Sequence, residues 1–486
     1  MNMNDSRESN TPLIFPFEIR DYNFVLDLHT NRLFSLNSRE ALVIHRWCSG
    51  EKLTEISEEY PNEVKEIKNL QEEGLFCTQY PAGLAFGGSW DAIFNQILHE
   101  RVRTVLEITQ QCNLRCTYCT FGGGFADHRT HTSNVMIEET LKKAIDEAFT
   151  HSDNIEEISI GFYGGEPLIP WRLLKTAVRY AQEYPSSKKA RFSITTNATL
   201  VDSKKARFLK DAGFSVLVSL DGPRILHDQY RIYPNGEGSY TDTIRGLKIL
   251  LNAYPPSMHE KIGLNMVVPS SGWMSYLERL WDEEPWLPRT LRAQATIVSA
   301  PKGFSEPNFP ENKNREDYRT RWLNSIETET PLRTTLGQEI FDKALAKIHQ
   351  RPRFQSYRRN FFPNGCCIPG TRKIYVQTEG SYQICERVHG VPTIGSVRQG
   401  VDLSRIRQIV EEYSRLSFQD CKTCIAISTC TLCFLHAYEN GQFNIEKKRL
   451  ACSRIKKALI SNLKMYGFIS QIRPQKLERW DEVVIL

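Results

Sequence analysis

The sequence predicts an α/β fold whose centre is a partial barrel of six parallel βα units, preceded by a winged-helix-like module and followed by a cysteine-rich extension. Two observations predict this fold. Strand-like and amphipathic helical segments alternate between residues 100 and 300, which is typical of a parallel sheet. Eleven of the 13 cysteines form two groups, one early in that region and one after residue 361. Six units cannot complete the usual eight-stranded barrel, so we expect it to be open.

Composition limits the class of protein. The chain has 486 residues, is 40% hydrophobic and 24% charged, and carries a formal charge of +5, which is ordinary for a soluble globular protein. The polar N-terminus has no apolar h-region, and no apolar run is long enough to span a membrane. We therefore expect a cytoplasmic protein with no membrane or nucleic-acid partner. Thiols stay reduced there, which favours metal ligation or redox chemistry over disulfides.

Residues 12–78 are predicted to form the N-terminal module. FEIR and FVLDLHTNRLFSL are typical of short strands around an Asn-containing turn. The next three segments (REALVIHRWC, LTEISEEY and NEVKEIKNLQEEGLF) have apolar residues three and four positions apart, which indicates helices. Cys48 and Cys77 lie alone in apolar surroundings and are interpreted as small buried residues. Residues 79–98 are predicted to be a linker.

The barrel is predicted over residues 100–300. Its strands are TVLEIT (104–109), EISIGFY (157–163), RFSITTN (191–197), SVLVSL (215–220), IGLNMVV (262–268) and LRAQATIVS (291–299). A bridging segment follows over residues 301–361, and its basic run 351–359 is interpreted as a solvated linker rather than a nucleic-acid groove. The cysteine-rich extension spans residues 362–458, with a hairpin that turns at Glu379-Gly380. Residues 459–486 form the tail.

Cys112, Cys116 and Cys119 form a C-x3-C-x2-C pattern in the loop after the first barrel strand. Zinc usually takes four nitrogen or sulfur ligands, and no fourth lies nearby in the sequence. A [4Fe–4S] cluster held by three thiolates leaves one iron open for a substrate or cofactor. The spacing therefore favours a reactive cluster over a structural zinc site.

Further polar motifs follow the predicted strands. In a parallel barrel the chemistry lies at the carboxyl ends of the strands, so these motifs should share one rim. Each alone has a structural explanation, such as a tight turn, a helix cap or, for HDQYR (227–231), a surface ion-pair cluster. Their convergence beside the cysteine triplet favours a functional site. The motifs are Gly164-Gly165-Glu166-Pro167, Thr196-Asn197, Ser219 with Asp221-Gly222, and Asn265.

With Tyr118 directly before its third cysteine, the triplet resembles the hallmark loop of the radical S-adenosylmethionine (SAM) superfamily. The resemblance implies that the three cysteines hold a [4Fe–4S] cluster whose open iron chelates SAM. Reductive cleavage of SAM would then give a 5′-deoxyadenosyl radical that abstracts hydrogen from a substrate. The resemblance also implies that SAM is bound by Tyr118, Gly164, Gly165, Glu166, Thr196, Asn197, Ser219, Asp221, Arg231 and Asn265. Glu166 would meet the amino group of SAM and Arg231 its carboxylate.

The second cysteine group resembles the SPASM extension, which carries two auxiliary [4Fe–4S] clusters. By analogy, one cluster takes Cys421, Cys424, Cys430 and Cys452. The other takes Cys367, Cys385 and Cys433, with either Cys366 or an external ligand. The sequence departs from the family in its C-x2-C ending and in the position of Cys366, where the family has a cysteine further upstream. SAM and three [4Fe–4S] clusters are the expected cofactors, and two zinc sites are the alternative for this extension.

The N-terminal module resembles the element with which peptide maturases bind a leader peptide as an added strand. Together the three parts resemble thioether-forming makers of ranthipeptides and sactipeptides. The implied partners are a precursor peptide with a leader and a reducing protein such as flavodoxin or ferredoxin. Glu386 occupies the place of an acidic catalytic residue in related sulfatase-maturing enzymes. The alternatives are another radical modification, such as carbon–carbon crosslinking or Cys or Ser oxidation, and a zinc-stabilised peptide-binding protein without catalysis.

Overall fold

The computed structural model describes residues 11–84, 89–124, 130–298, 304–305, 318–330, 332, 334–361, 367–387 and 390–483. Within these ranges no helix combines the length and the apolar character needed to cross a membrane.

The N-terminal module has three strands followed by three helices, as predicted. They are β1 (Ile14–Ile19), β2 (Tyr22–Asp27), β3 (Arg32–Leu36), α1 (Ser38–Cys48), α2 (Leu53–Ile56) and α3 (Pro61–Glu72). The strands form an antiparallel sheet in the order β1-β2-β3. Helix α1 begins with a capping box, in which the Asn37 side chain accepts from the Glu40 N–H and the Glu40 carboxylate accepts from the Asn37 N–H.

The predicted linker contains more structure than expected. It holds β4 (Gly83–Leu84) and α4 (Trp90–His99). The side chain of Ser89 caps α4 by accepting from the Asp91 N–H, and Ile93 and Ile97, four residues apart, bury one face of the helix. The prediction of a linker was based on the Pro and Gly residues of this stretch. The amphipathic spacing of α4 directly after them was not recognised.

The central region alternates strands and helices as predicted, and each strand boundary lies within two residues of its expected place. The elements are β5 (Arg103–Thr109), α5 (Glu138–Thr150), β6 (Glu157–Gly164), α6 (Trp171–Gln182), β7 (Lys189–Thr196), α7 (Ser203–Asp211), β8 (Ser215–Ser219), α8 (Arg224–Tyr230), α9 (Tyr240–Ala253), β9 (Ile262–Val268), α10 (Leu280–Glu283) and β10 (Arg292–Ile297).

The C-terminal region consists of short strands between helices. The elements are α11 (Tyr318–Glu327), α12 (Lys343–His349), β11 (Asn360–Phe361), β12 (Lys373–Val376), β13 (Tyr382–Gln383), β14 (Gly395–Ser396), β15 (Gly400–Val401), α13 (Leu403–Cys421), β16 (Tyr438–Glu439), β17 (Gln442–Phe443) and α14 (Ile445–Ile472). Helix α14 runs through the expected boundary between extension and tail at 458/459, so these two parts share one continuous helix.

One eight-stranded sheet unites the barrel with the cysteine-rich extension. Its order is β10-β9-β8-β7-β6-β5-β12-β13. The six barrel strands are parallel, β12 adds to β5 in the same direction, and β13 returns antiparallel after the hairpin turn. Gly380 sits in that turn with φ +95°, a backbone conformation that favours glycine. The partial six-unit barrel is confirmed, and the extension begins as its seventh parallel strand.

The two faces of the N-terminal sheet are both buried. One face, with Ile14 and Val25, packs in a small core with helices α1 to α3. The opposite face, with Phe17 and Phe24, belongs to the main core of the protein. Helix α14 approaches this face at Gly467, where an added Cβ would lie 3.0 Å from the Phe24 ring. The module is therefore integrated with the rest of the chain.

The tip of the β2–β3 hairpin (residues 28–31) is buried, although turns normally lie at the surface. The basic run 351–359 covers it. The backbone N–H of Phe354 donates to the carbonyl of Thr30 at 2.9 Å, Arg351 donates to that of Asn31 at 2.7 Å, and Arg358 to that of His29 at 2.9 Å. The expectation of a solvated linker was wrong, because these arginines satisfy the carbonyls of a buried turn.

Candidate active site

The cysteine triplet lies in the loop after β5. Two backbone hydrogen bonds hold this loop, from the Arg115 N–H to the Ile232 carbonyl (2.7 Å) and from the Thr117 N–H to the Tyr230 carbonyl (3.0 Å). A further bond, from the Cys119 N–H to the Cys116 carbonyl at 3.0 Å, closes a turn between the last two thiols. The end of α8 and the residues directly after it thus fix the backbone that carries the cysteines.

The surroundings of the three sulfurs suit thiolate ligands. The N–H of Leu114 lies 3.4 Å from Cys112 Sγ, and the N–H of Phe121 lies 3.4 Å from Cys119 Sγ. Burial raises the pKa of Cys112 to about 12, and nearby Glu166 and Cys119 add to the rise. A bound iron group would favour the thiolate form of these cysteines. The expectation that no fourth donor lies near the triplet was wrong, because His131 Nε2 lies 3.9 Å from Cys119 Sγ. Three thiols, two of which receive N–H bonds, fit an iron–sulfur cluster.

The glycines after β6 let two loops touch. Gly164 has φ +129°, and an added Cβ would overlap the carbonyl of Thr109. At Gly165 an added Cβ would lie 2.5 Å from the carbonyl carbon of Gln111, directly beside Cys112. The N–H groups of Gly165 and Glu166 donate to the preceding loop, to the carbonyls of Thr109 (2.9 Å) and Gln111 (2.8 Å). The glycines are thus required for the docking of this loop against the cysteine loop.

Glu166 is buried beneath that contact. Its carboxylate accepts from the Thr196 hydroxyl (2.8 Å), the Asn197 N–H (2.8 Å) and the Leu168 N–H (3.0 Å). Burial raises the pKa of Glu166 to about 7, and these hydrogen bonds oppose the rise. The predicted motifs that follow β6 and β7 therefore contact each other, through hydrogen bonds within the chain.

Asp221 and Arg231 are bound to each other. The Arg231 guanidinium donates to both oxygens of Asp221, at 2.9 and 3.0 Å. The same carboxylate accepts from the Val267 N–H at 2.8 Å and from the Tyr118 hydroxyl. A carboxylate has about four acceptor positions, so Asp221 is saturated and anchors Arg231 and Tyr118 rather than facing a ligand. Arg231 in turn opposes the rise that burial causes in the pKa of Cys116, which places its charge beside the triplet.

Ser219 and Asn265 lie opposite each other on neighbouring strands. Ser219 ends β8 and is buried. Asn265 lies in the middle of β9 and accepts from the Gln294 side chain of β10 at 3.0 Å. Its side chain is thus bonded to the next strand of the sheet.

The hairpin of β12 and β13 contributes a second set of groups, at both ends of the parallel strands. At the carboxyl end, Glu107 of β5 accepts from the Gln110 side chain (3.1 Å) and from the Thr378 N–H (3.2 Å), which ties the hairpin turn to the cysteine loop. Because β13 returns antiparallel, Glu386 lies beyond it near the start of β12, where it accepts twice from Lys373, at 2.9 and 2.7 Å.

Tyr163, at the end of β6, links the two sets. Burial raises its pKa to about 12, and the Glu386 carboxylate and Cys119 add to the rise. Because the charges of Glu386 and Cys119 both act on its hydroxyl, Tyr163 lies between the cysteine triplet and the hairpin. Tyr163 and Lys373 were not predicted from the sequence, because neither belongs to a recognised motif.

Four cysteines of the extension, Cys421, Cys424, Cys430 and Cys452, line one cavity of about 550 Å³. This is the set expected for one auxiliary cluster. N–H groups again point at two sulfurs, from Ala426 to Cys424 and from Leu432 to Cys430, each at 3.4 Å. In the described part of the chain, no three His, Cys, Asp or Glu side chains lie close enough together to hold a single metal ion. The four thiols instead line a space that has room for a group of several atoms.

Cys367, Cys385 and Cys433 form the other expected set. The charge of Cys433 adds to the rise that burial causes in the pKa of Cys385, to about 12, and Cys367 acts on Cys433 in the same way. The three thiols therefore lie near one another, and Cys367 is exposed. Cys366 lies outside the described residues. Cys48 and Cys77, interpreted as buried residues, are each partly buried.

The sequence matches one family model and several known proteins. Residues 106–269 match the model of the radical SAM superfamily. An uncharacterized protein of Methanocaldococcus jannaschii, MJ0907, is 35% identical over 294 residues, which cover 60% of this chain and 87% of that one. The cysteine-type anaerobic sulfatase-maturating enzyme of Clostridium novyi is 30% identical over 284 residues, covering 57% of this chain and 71% of that enzyme.

Solved structures share the fold. Native anSMEcpe with bound AdoMet matches with a TM-score of 0.55 at 17% identity, and the same protein with bound AdoMet and Cp18Cys peptide matches with 0.53 at 18% identity. Each match covers 79% of this chain and 100% of the other. With its cysteine triplet on the rim of a six-unit parallel barrel, the chain belongs to the radical SAM superfamily and is an enzyme of that superfamily.

Proposed function

We propose that this enzyme binds SAM and modifies a ribosomally made precursor peptide, joining a cysteine sulfur to a carbon atom as a thioether. The observation that carries the proposal is the arrangement of two thiol sets around one sheet. The triplet follows the carboxyl end of β5, whereas antiparallel β13 brings Cys385 and Glu386 back beside Lys373, near the start of β5 and β12. The charges of Glu386 and Cys119 both act on Tyr163, which lies between them. A peptide that entered the barrel between these two ends would meet both sets.

Cys112, Cys116 and Cys119 would hold the SAM-binding [4Fe–4S] cluster. When bound, cluster and SAM supply the hydrogen-abstracting radical that defines the superfamily. Arg231, oriented by Asp221, would bind the SAM carboxylate beside Cys116. Gly164 and Gly165 would leave their backbone open to the SAM amino group, while Ser219 and Asn265 would contact SAM from β8 and β9. Thr196 and Asn197 would keep Glu166 in place beneath the loop.

The extension would hold two auxiliary clusters in the manner of a SPASM domain. Cys421, Cys424, Cys430 and Cys452 would bind one of them. Cys367, Cys385 and Cys433 would bind the other and leave a position open for a peptide thiolate. A positive iron site favours the thiolate form and would hold its sulfur close to the substrate carbon. Glu386, fixed by Lys373, would accept a proton from the peptide.

The N-terminal sheet is the proposed site for the leader peptide. Its β3 edge is unpaired in the described residues, since the sheet order ends there. An extended leader would add beside β3 by main-chain hydrogen bonds. A flavodoxin- or ferredoxin-like protein would supply electrons.

A second candidate, oxidation of a cysteine or serine in a protein substrate, is favoured by the match to the Clostridium novyi enzyme. Mass spectrometry of a cysteine-containing precursor after anaerobic co-expression separates the two. A thioether retains the sulfur, loses two hydrogens and blocks alkylation of that cysteine. Oxidation of cysteine to an aldehyde loses the sulfur. A peptide that returns unmodified from every such co-expression, while the enzyme cleaves SAM, would reject both.

A further inference from the structure

Lys448 is a buried lysine inside the cysteine-rich extension. It lies on α14, one helical turn before Cys452, and only 1% of it is exposed. Lysine is almost never fully buried unless its charge is paired. Its neighbours in sequence, Lys447 and Arg449, lie nearer the surface. The position therefore needs a partner that compensates a buried ammonium.

The partners of Lys448 are sulfurs. Its Nζ donates to Cys421 Sγ at 3.4 Å and to Cys452 Sγ at 3.9 Å, and it lies 5.9 Å from the centre of the Tyr413 ring. Thiols are weak acceptors for an ammonium, whereas thiolates are anions. Metal ligation fixes cysteines in the thiolate form. The ammonium thus faces two sulfurs of the set that lines the 550 Å³ cavity.

We propose that Lys448 is a positioning residue that binds the Cys421 and Cys452 thiolates and raises the reduction potential of the cluster at this site. The inference rests on the proposed function, since it takes these four cysteines as cluster ligands. Charge near a cluster and hydrogen bonds to its sulfurs both set its potential. One-electron reduction by an external donor such as dithionite adds one negative charge and breaks no bond to a ligand. A fixed cation beside two of the sulfurs stabilises that charge, so the reduced form is favoured.

The test is an anaerobic redox titration of the full-length, reconstituted enzyme, followed by electron paramagnetic resonance. Cys112, Cys116 and Cys119 are replaced by Ala in all samples to remove the signal of the first cluster. Lys448→Met removes the charge and keeps the length of the side chain. Lys448→Arg keeps the charge. Lys456→Met is the matched control, because Lys456 lines the same cavity and its charge acts on Asp420.

We expect Lys448→Met to lower the reduced-to-oxidised ratio of one auxiliary cluster about tenfold at a fixed potential. This corresponds to a shift of about −59 mV in its one-electron reduction potential. The reduction potentials of Lys448→Arg and Lys456→Met should stay near that of the parent protein. An unchanged potential in Lys448→Met, or an equal shift in Lys456→Met, would overturn the inference. If Lys448→Met does not retain its iron, Lys448→Gln is compared with Lys448→Arg by the same criterion.

Iron counting tests the underlying site separately. Cys430→Ala should lose about four irons if the cavity holds a [4Fe–4S] cluster. A full iron count in Cys430→Ala would reject the cluster site itself. Loss of iron in that variant, with no shift in Lys448→Met, would reject only the role of Lys448.

Discussion

Replacing Gly165 with Ala should separate the two loops that are proposed to form the SAM site. An added Cβ would overlap the carbonyl oxygen of Gln111 and lie 2.5 Å from its carbonyl carbon, whereas ordinary van der Waals contact begins near 3.4 Å. The contact with the carbon alone requires the backbones to move apart by about 0.9 Å, and the overlap with the oxygen requires more. Cys112 follows Gln111 directly, so its sulfur moves with them. A displacement of about 1 Å can cost about 100-fold in rate, and we expect a loss of this size in 5′-deoxyadenosine formation.

The assay is anaerobic formation of 5′-deoxyadenosine with dithionite, together with iron counting. Gly263→Ala is the matched control, because Gly263 lies in strand β9 of the same sheet and its added Cβ would meet no atom closer than 3.3 Å. Gly263→Ala should remain close to wild type. A wild-type rate and iron content in Gly165→Ala would refute the argument from loop contact. Equal losses in both variants would point to general fragility of the barrel instead.

Three further predictions concern buried charge. Burial lowers the pKa of His29 to about 4 from an ordinary 6.5, so stability present above pH 6.5 is lost as the pH falls towards 4. About 2 kcal/mol of unfolding free energy should be lost between pH 8 and pH 5, and His29→Gln should abolish that loss in urea titrations. Asp221→Asn should cost about 3–5 kcal/mol, measured by denaturation, because the Arg231 charge is left unpaired. Glu386→Gln should retain SAM cleavage and lose peptide modification, measured by product mass.

Each of these has a contrary outcome. An equal pH dependence in His29→Gln and wild type would show that another group titrates there. A loss below about 1 kcal/mol in Asp221→Asn would mean that Arg231 finds water or another partner. Full peptide modification by Glu386→Gln would remove the carboxylate from the reaction.

The sequence predicted what local periodicity and spacing encode. The six barrel strands were located because alternating strand and helix segments carry distinct patterns of apolar residues. The set of Cys421, Cys424, Cys430 and Cys452 was anticipated by resemblance, and the structure places all four on one cavity. Gly380 marked the hairpin turn because few other residues tolerate its conformation.

Contacts between distant segments could not be predicted in this way. The pairing of β12 with β5 joins residues about 270 positions apart, and no local pattern reports it. Asp221 and Arg231 were assigned to SAM by motif, but the motif does not say that they bind each other. Lys448 lies in a basic stretch typical of a solvated helix face. Its ammonium is buried against the thiols of Cys421 and Cys452. Cys421 lies on another helix, α13, so no local pattern reports this contact.

The buried tip of the β2–β3 hairpin has a consequence for exchanging the N-terminal module between enzymes. Such an exchange assumes that the module is joined to the rest of the chain only by a linker. Here a foreign module would have to present the carbonyls of four turn residues. That of Asn31 meets Arg351, that of His29 meets Arg358, and that of Thr30 meets the Phe354 N–H. The carbonyl of Leu28 meets Ser428 in the loop between Cys424 and Cys430. A functional chimera would need to carry residues 351–358 and that loop along with residues 12–78. The graft is thus three separate stretches of sequence.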